Sequence, residues 1–237
     1  MVAFDGDDTL WHNEPIFTLT QERLTALMQP FVAREVIEER LVATEVKNLR
    51  LFGYGIKAFT LSMIETAIEI TEGRVSGHQI QAIIDAGRAA LEHPVELLAG
   101  IADAISEVSK TRKVMLITKG DLLDQESKLA RSGLAERFSA VEIVSEKNPA
   151  TYQRILRRLD IAPQRFVMVG NSLRSDVVPA LDIGAFGVHI PYHTTWIAER
   201  VEDETAVRRR PGFHHLDSAS ELPALLGRLD SSIESSS

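Results

Sequence analysis

The apolar run Val2-Ala3-Phe4 leads straight into Asp5-Gly6-Asp7-Asp8-Thr9, and the next β-rich run begins only at Lys113. A lone strand cannot satisfy its own backbone N–H and C=O groups. Its partners must therefore come from the distant half of the chain, and whatever lies between must be an insertion. That intervening block reads as helical over residues 14–93. Apolar positions recur at helical spacing from Phe17 to Met28, Val36 to Val46, Ile56 to Ile70 and Ile80 to Leu91. Breaks fall at Pro30, at Phe52-Gly53-Tyr54-Gly55, and between Gly73 and Gly77.

After the block the pattern changes. Short apolar runs (Lys113 to Ile117, Val141 to Val144, Phe166 to Val169, Gly187 to Ile190) alternate with helical stretches. Those stretches cover Gly100 to Ser109, Leu122 to Ser132, Pro149 to Leu159 and Asp176 to Ile183. Alternation of this kind with fully apolar strands predicts an α/β fold with a doubly wound parallel sheet, covered on both faces. The expected division is an α/β core from residues 1–13 plus 94–237, with an all-helical domain, 14–93, inserted into it. Residues 201–212 read as charged and irregular, Ser218 to Leu229 as a terminal helix, and Asp230 to Ser237 as a frayed tail.

Charge and composition narrow the partners. The net charge is −8, so nucleic acid and anionic membrane surfaces are not expected partners. There is no cysteine, which excludes disulfides, thiol catalysis and thiolate zinc sites. Met1 is followed by a strand rather than a basic and apolar leader, and no apolar run is long enough to span a bilayer; the expected location is cytoplasmic, as a monomer or homodimer.

The three aspartates at 5, 7 and 8 need an explanation. Like charges 4 Å apart repel by about 4 kcal/mol at an effective dielectric of ~20. A divalent cation is the usual compensation, and magnesium prefers such oxygen donors. In an open parallel sheet, ligands bind beyond the carboxyl ends of the strands, near the point where strand order reverses. Each expected strand delivers polar groups there. Asp5, Asp7, Asp8 and Thr9 follow the first, Thr118, Lys119 and Gly120 the second, Lys147 the third, and Gly170-Asn171-Ser172-Leu173-Arg174-Ser175-Asp176 the fourth. Carboxylates, a hydroxyl, lysines and a small-residue turn suit an anionic substrate held against Mg2+.

With those residues in view, the chain resembles the haloacid dehalogenase (HAD) superfamily of hydrolases, in its C1-capped phosphatase form. Asp5-Gly6-Asp7-Asp8-Thr9 fits the first motif, Asp-x-Asp-x-Thr, and Thr118 fits the second. Lys147-Asn148-Pro149 fits the third, and Gly170 to Asp176 is close to the fourth, Gly-Asp-x-x-x-x-Asp. The resemblance implies a Rossmann-like core with a C1 cap formed by the helical block. It implies a Mg2+-dependent phosphomonoester phosphatase acting on a small phosphorylated metabolite. Asp5 would attack phosphorus, forming an aspartyl-phosphate, and Asp7 would act as acid and then base. Thr118 and Lys147 would hold phosphoryl oxygens, with Thr9 as a further substrate contact. Asp5, Asp7 through its carbonyl, Asn171 and Asp176 would hold the metal. Crowding by carboxylates would favour the protonated form that Asp7 needs as an acid.

Two positions depart from the pattern. Asn171 stands where a metal-binding aspartate is expected, which lowers the negative charge of the site and makes Asp176 the anionic anchor. Lys119 stands where a small or amide residue is usual, and is either a further substrate contact, as a second cation near the phosphate, or a side chain pointing at solvent. A 2-haloacid dehalogenase on the same fold is the alternative, but those enzymes lack the second aspartate that Asp7 supplies. Phospho-accepting receiver domains are shorter and lack the inserted block, while a binding relative without turnover has the same sequence signature. Plainer readings attach to other residues: Ser175 as a helix N-cap, Arg174 as solvated surface, His12 as a packing or hydrogen-bonding residue close to the site, His214-His215 as no metal pair, and Phe52 and Tyr54 as aromatics packing between helices or facing substrate.

Overall fold

The computed structural model describes residues 1–234. The chain forms two compact units. One comprises Met1–His12, Val95–Lys119 and the residues from Lys128 on; the other comprises Asn13–Pro94 and Gly120–Ser127. The eight residues from Gly120 thus group with the helical block, although the sequence pattern assigns them to the α/β core.

The α/β unit is built on six strands: β1 (Val2–Phe4), β2 (Val114–Lys119), β3 (Ala140–Val144), β4 (Val167–Gly170), β5 (Phe186–His189) and β6 (Phe213–His215). Their order is β3-β2-β1-β4-β5-β6, and every pairing is parallel. The orphan strand β1 lies at the centre, with Phe4 in register with Leu116 on one side and Val169 on the other. Strand order reverses at β1, so the acidic loop emerges where ligands bind in folds of this kind.

Alternation along the central strands divides the core into two layers, since successive side chains point to opposite faces. Val2, Phe4, Leu116 and Val169 pack with Ile101, Ile105, Leu222 and Leu225. Those partners come from α5 (Ile101–Ser109) and α10 (Leu222–Glu234). Ala3, Met115, Ile117 and Met168 face the other way, onto Tyr152, Ile155 and Leu156 of α7 (Pro149–Arg158) and Ala180 of α8 (Val178–Asp182). Each such side chain contributes about 1.5–3 kcal/mol when fully buried. Strands buried on both faces explain why the sequence shows unbroken apolar runs there.

The helical unit consists mainly of α1 (Glu14–Met28), α2 (Arg34–Phe52), α3 (Ile56–Ile70) and α4 (Gly77–Glu92). Leu24, Met28, Ile37, Leu41, Phe59, Met63 and Ile83 form its own core. Helix α4 begins with a reciprocal cap in which Ser76 and Gln79 each satisfy the other's backbone N–H. The remaining helices are α6 (Leu122–Ser132) and α9 (Glu204–Arg208).

Three expectations require correction. Residues 201–212 are not wholly irregular: α9 lies among them, capped by Asp203, whose side chain accepts from the Ala206 N–H at 2.9 Å. The strand β6, not anticipated at all, follows directly and pairs with β5. Its sequence, Phe213-His214-His215, lacks the aliphatic character of the other strands, being an edge strand with less to bury. Finally, helix α10 continues through residues 230–234, where a frayed tail was expected; residues 235–237 lie outside the described residues.

Candidate active site

Asp5 is the first residue beyond β1, and its N–H donates to the Val169 carbonyl at 2.9 Å. The loop after it turns back at once. Leu10 N–H donates to the Gly6 carbonyl at 2.7 Å, and Asp8 N–H to the Trp11 carbonyl at 2.8 Å. Asp8 takes a positive φ of 58°, a left-handed conformation that aspartate tolerates better than most residues. Gly6 is needed because Thr118 and Trp11 close on it: a β-carbon there would lie 3.0 Å from the Thr118 hydroxyl and 3.0 Å from the Trp11 ring. Thr118, near the end of β2, is thereby fixed beside the acidic loop and is itself buried.

The centre of the site is a buried charge triad. Lys147 pairs with Asp5 and with Asp176, the latter at 2.7 Å, and the side chains of Lys147 and Asp176 are only 1% and 0% exposed. Two carboxylates and one ammonium leave a net negative charge away from water. Burial and the neighbouring Asp176 carboxylate together push Asp5 up to about 7, against the opposing pull of Lys147. Burial works against the charge of Lys147, but the Asp176 and Asp5 carboxylates outweigh it and hold the ammonium above its ordinary range.

Asp176 owes its place to a tight turn after β4. Its second carboxylate oxygen accepts from the Ser172 N–H at 3.0 Å. The Ser172 hydroxyl in turn accepts from the Ser175 N–H at 3.0 Å, so Ser172 caps the π-helical turn Leu173–Val177. The cap expected at Ser175 is therefore one turn earlier, because the helix begins sooner than its apolar spacing suggested. Below the turn, the buried Tyr152 hydroxyl donates to the Ser175 carbonyl at 3.2 Å. His189 supports it from β5: its Nε2 lies 3.0 Å from the Asn171 carbonyl, an acceptor, so this nitrogen carries the proton.

The other expected residues divide. Thr9 and Asn171 meet: the Thr9 hydroxyl donates to the Asn171 amide oxygen at 3.1 Å and accepts from the Asn171 N–H at 3.0 Å. Asp7 stands near Asp5, and its carboxylate adds to the upward push on that residue. Its Oδ1 accepts from Trp11 Nε1 at 2.7 Å and from Lys128 at 3.0 Å. Lys119 reaches the turn after β4. Its ammonium donates to the Ser175 hydroxyl at 2.9 Å and pairs with Glu199.

Lys128 and Glu199 were not identified from the sequence. Glu199 accepts from the hydroxyls of Ser172 and Ser175, both at 2.5 Å, in addition to Lys119. Burial opposes its charge, but Lys119 and the two hydroxyls prevail and hold it below the usual carboxylate range. Nothing in the irregular segment around Glu199 marks it in advance. Lys128 sits in the helical stretch Leu122 to Ser132, and only the structure shows that it is buried. The aromatic Phe52, weighed as a substrate contact, is exposed at the end of α2, and His12 Nδ1 is 2.7 Å from the Tyr192 hydroxyl.

Among the described residues, no group of three or more His, Cys, Asp or Glu side chains is gathered to hold a metal ion. Asp5 and Asp176 nevertheless supply two buried carboxylates with one ammonium between them, and Asn171 adds an amide oxygen next to Gly170. Oxygen-only donors with residual negative charge fit a hard divalent cation that keeps most of its water.

The family model for haloacid dehalogenase-like hydrolases matches residues 1–184. The chain belongs to that family. A haloacid dehalogenase-like family hydrolase from Xanthomonas campestris is 42% identical, with a TM-score of 0.89 over 100% of this chain and 94% of the other. The N-acylneuraminate-9-phosphatase of Homo sapiens is 26% identical over 152 residues, 62% of this chain. That match spans 58% of the human protein, less than two thirds of its length. A 2-haloacid dehalogenase from Pseudomonas syringae pv. tomato shares the fold, at 21% identity and a TM-score of 0.61 over 96% of this chain and 97% of the other. This haloacid dehalogenase-like hydrolase thus has the Rossmann-like α/β fold of its family. None of its described helices is long and apolar enough to cross a membrane.

Proposed function

We propose that this hydrolase is a phosphomonoester phosphatase acting on a small phosphorylated metabolite through an aspartyl-phosphate on Asp5. The observation that carries the reading is the buried Asp5–Lys147–Asp176 triad at the switch point of the sheet. An Asp-x-Asp loop beside it supplies a second acid, Asp7, two residues from the first. The 26%-identical relative named as a phosphatase supports the same chemistry.

In the first half-reaction an Asp5 carboxylate oxygen attacks phosphorus, and the ester P–O bond breaks as Asp7 delivers a proton to the departing oxygen. In the second, Asp7 takes a proton from water as that water attacks the phosphorus; inorganic phosphate leaves and the Asp5 carboxylate returns. Dividing one difficult displacement between two easier steps is the benefit of a covalent nucleophile. Lys147 holds the nucleophile and offers its charge to the phosphoryl oxygens, with the Thr118 hydroxyl beside the loop as a further contact. Positioning and electrostatics provide most of the rate in phosphoryl transfer. Asp5, Asn171, Asp176 and the Asp7 carbonyl would hold Mg2+, which supplies positive charge where two anions must approach. The helical unit is the proposed cap, which would exclude bulk water.

The test is release of phosphate from p-nitrophenyl phosphate, with and without Mg2+. Turnover that disappears on Asp5→Asn supports the reading; no turnover by the wild-type protein, or equal turnover by the variant, defeats it. One observation favours a second reading. Asn171 replaces a metal-binding carboxylate, and the direct Lys147 contact to Asp5 would also serve a metal-free attack on carbon. Chloride release from 2-chloropropionate distinguishes that dehalogenase chemistry, against which Asp7 argues.

A further inference from the structure

Asp7 is held by two donors that no motif includes. Trp11 Nε1 and the Lys128 ammonium both reach the same carboxylate oxygen, Oδ1, at 2.7 and 3.0 Å. The Lys128 side chain is 9% exposed, an uncommon state for lysine, which is seldom buried without a partner. Lys147 makes the direct contacts to Asp5 and Asp176, while Lys128 makes its contact to Asp7. The indole is equally constrained. Trp11 is buried and bridges Asp7 on one side and Leu97 on the other, and flanking backbone bonds run from Leu98 to Leu10 and from His12 to Glu96, both at 2.9 Å. A rigid ring and a buried ammonium, from segments far apart in sequence, therefore converge on one atom.

Resting on the phosphatase reading, we infer that Lys128 and Trp11 are positioning residues for the acid–base carboxyl of Asp7. When Asp7 gives its proton to the ester oxygen, a full negative charge develops on its carboxylate. The ammonium and the indole N–H already face that carboxylate and stabilise the charge as it forms, with no rearrangement. The bonds change as stated above: O–H breaks at Asp7, O–H forms on the leaving alcohol, and P–O breaks. Lys128 and Trp11 neither gain nor lose a proton. Their effect should be confined to substrates whose leaving oxygen needs that proton.

Leaving-group dependence tests this. For wild type, Lys128→Met, Lys128→Arg and Trp11→Phe, kcat/KM is measured with p-nitrophenyl phosphate, whose phenolate departs unaided, and with glycerol 2-phosphate, whose alkoxide does not. This ratio reports the first half-reaction alone. Lys128→Met is expected to lower kcat/KM for glycerol 2-phosphate about 30-fold or more, a part of the roughly 10²–10⁴-fold that general acid catalysis contributes, and for p-nitrophenyl phosphate less than about 5-fold. Lys128→Arg should recover most of the loss, because it restores the charge. Trp11→Phe removes the N–H with the smallest change of shape and should show the same selectivity if Lys128→Met does not fold. Equal losses on both substrates, or none on either, would overturn the inference. A wild-type protein that hydrolyses neither ester would instead overturn the phosphatase reading, and the inference with it.

Discussion

Asp176 lies against the Cα of Gly170: a β-carbon at Gly170 would stand 2.2 Å from Asp176 Oδ2. The closeness matters because the other oxygen of Asp176 holds Lys147, which in turn holds Asp5. Gly170→Ala should therefore push Asp176 off Lys147. The expected cost is about 1–3 kcal/mol from overpacking, with activity falling far more than stability. Thermal melts and phosphate release check both; an alanine variant as stable and active as wild type would refute the relationship.

Asn171 lowers the negative charge at the proposed metal position by one. Asn171→Asp should restore it and shift half-saturation by Mg2+ to several-fold lower concentration, while EDTA abolishes turnover of both proteins. A magnesium titration followed by phosphate release reads this directly. Activity of either protein that survives EDTA unchanged would remove the metal from the mechanism.

Glu45, on α2 of the helical unit, is pushed up to about 8 by burial, with the Glu14 carboxylate adding to the effect. Between its ordinary value of 4.5 and about 8, the folded state holds a proton that the unfolded state has lost. Stability associated with Glu45 is thus fully present below pH 4.5 and declines as pH rises through 8. Glu45→Gln should raise the melting temperature at pH 8.5 but not at pH 4.5, by about 2–4 °C for each kcal/mol relieved. A pH-independent difference between variant and wild type would contradict the assignment.

The Lys119–Glu199 pair bonds to Ser172 and Ser175 of the turn that carries Asn171 and Asp176. Each side chain is 15% exposed, so removing one partner strands the other away from water. Lys119→Met and Glu199→Gln should each destabilise, and the double variant should lose less than their sum, by a coupling of roughly 1–3 kcal/mol. A urea-unfolding cycle measures it. Strict additivity would mean that the pair is not formed in solution.

Much of this was legible in the chain. The solitary run Val2-Ala3-Phe4 required an insertion, and unbroken apolar strands required a sheet buried on both faces. Thr118, Lys147 and Asp176 could be assigned to strand ends because strand ends are where such a sheet presents its ligands. Local chemistry dictates all of that: hydrogen-bond satisfaction, side-chain periodicity and the repulsion of adjacent carboxylates act between near neighbours in sequence. Pairings across the fold were not legible. The sequence put Asp7 among carboxylates but did not show Lys128 and Trp11 reaching it, nor Glu199 pairing with Lys119. Strand β6 was invisible for the same reason, since an edge strand of Phe and His gains its identity from β5 beside it. A charged side chain is satisfied by whichever opposite charge comes within about 3 Å, and which one does so is a property of the packed core, not of the residues on either side.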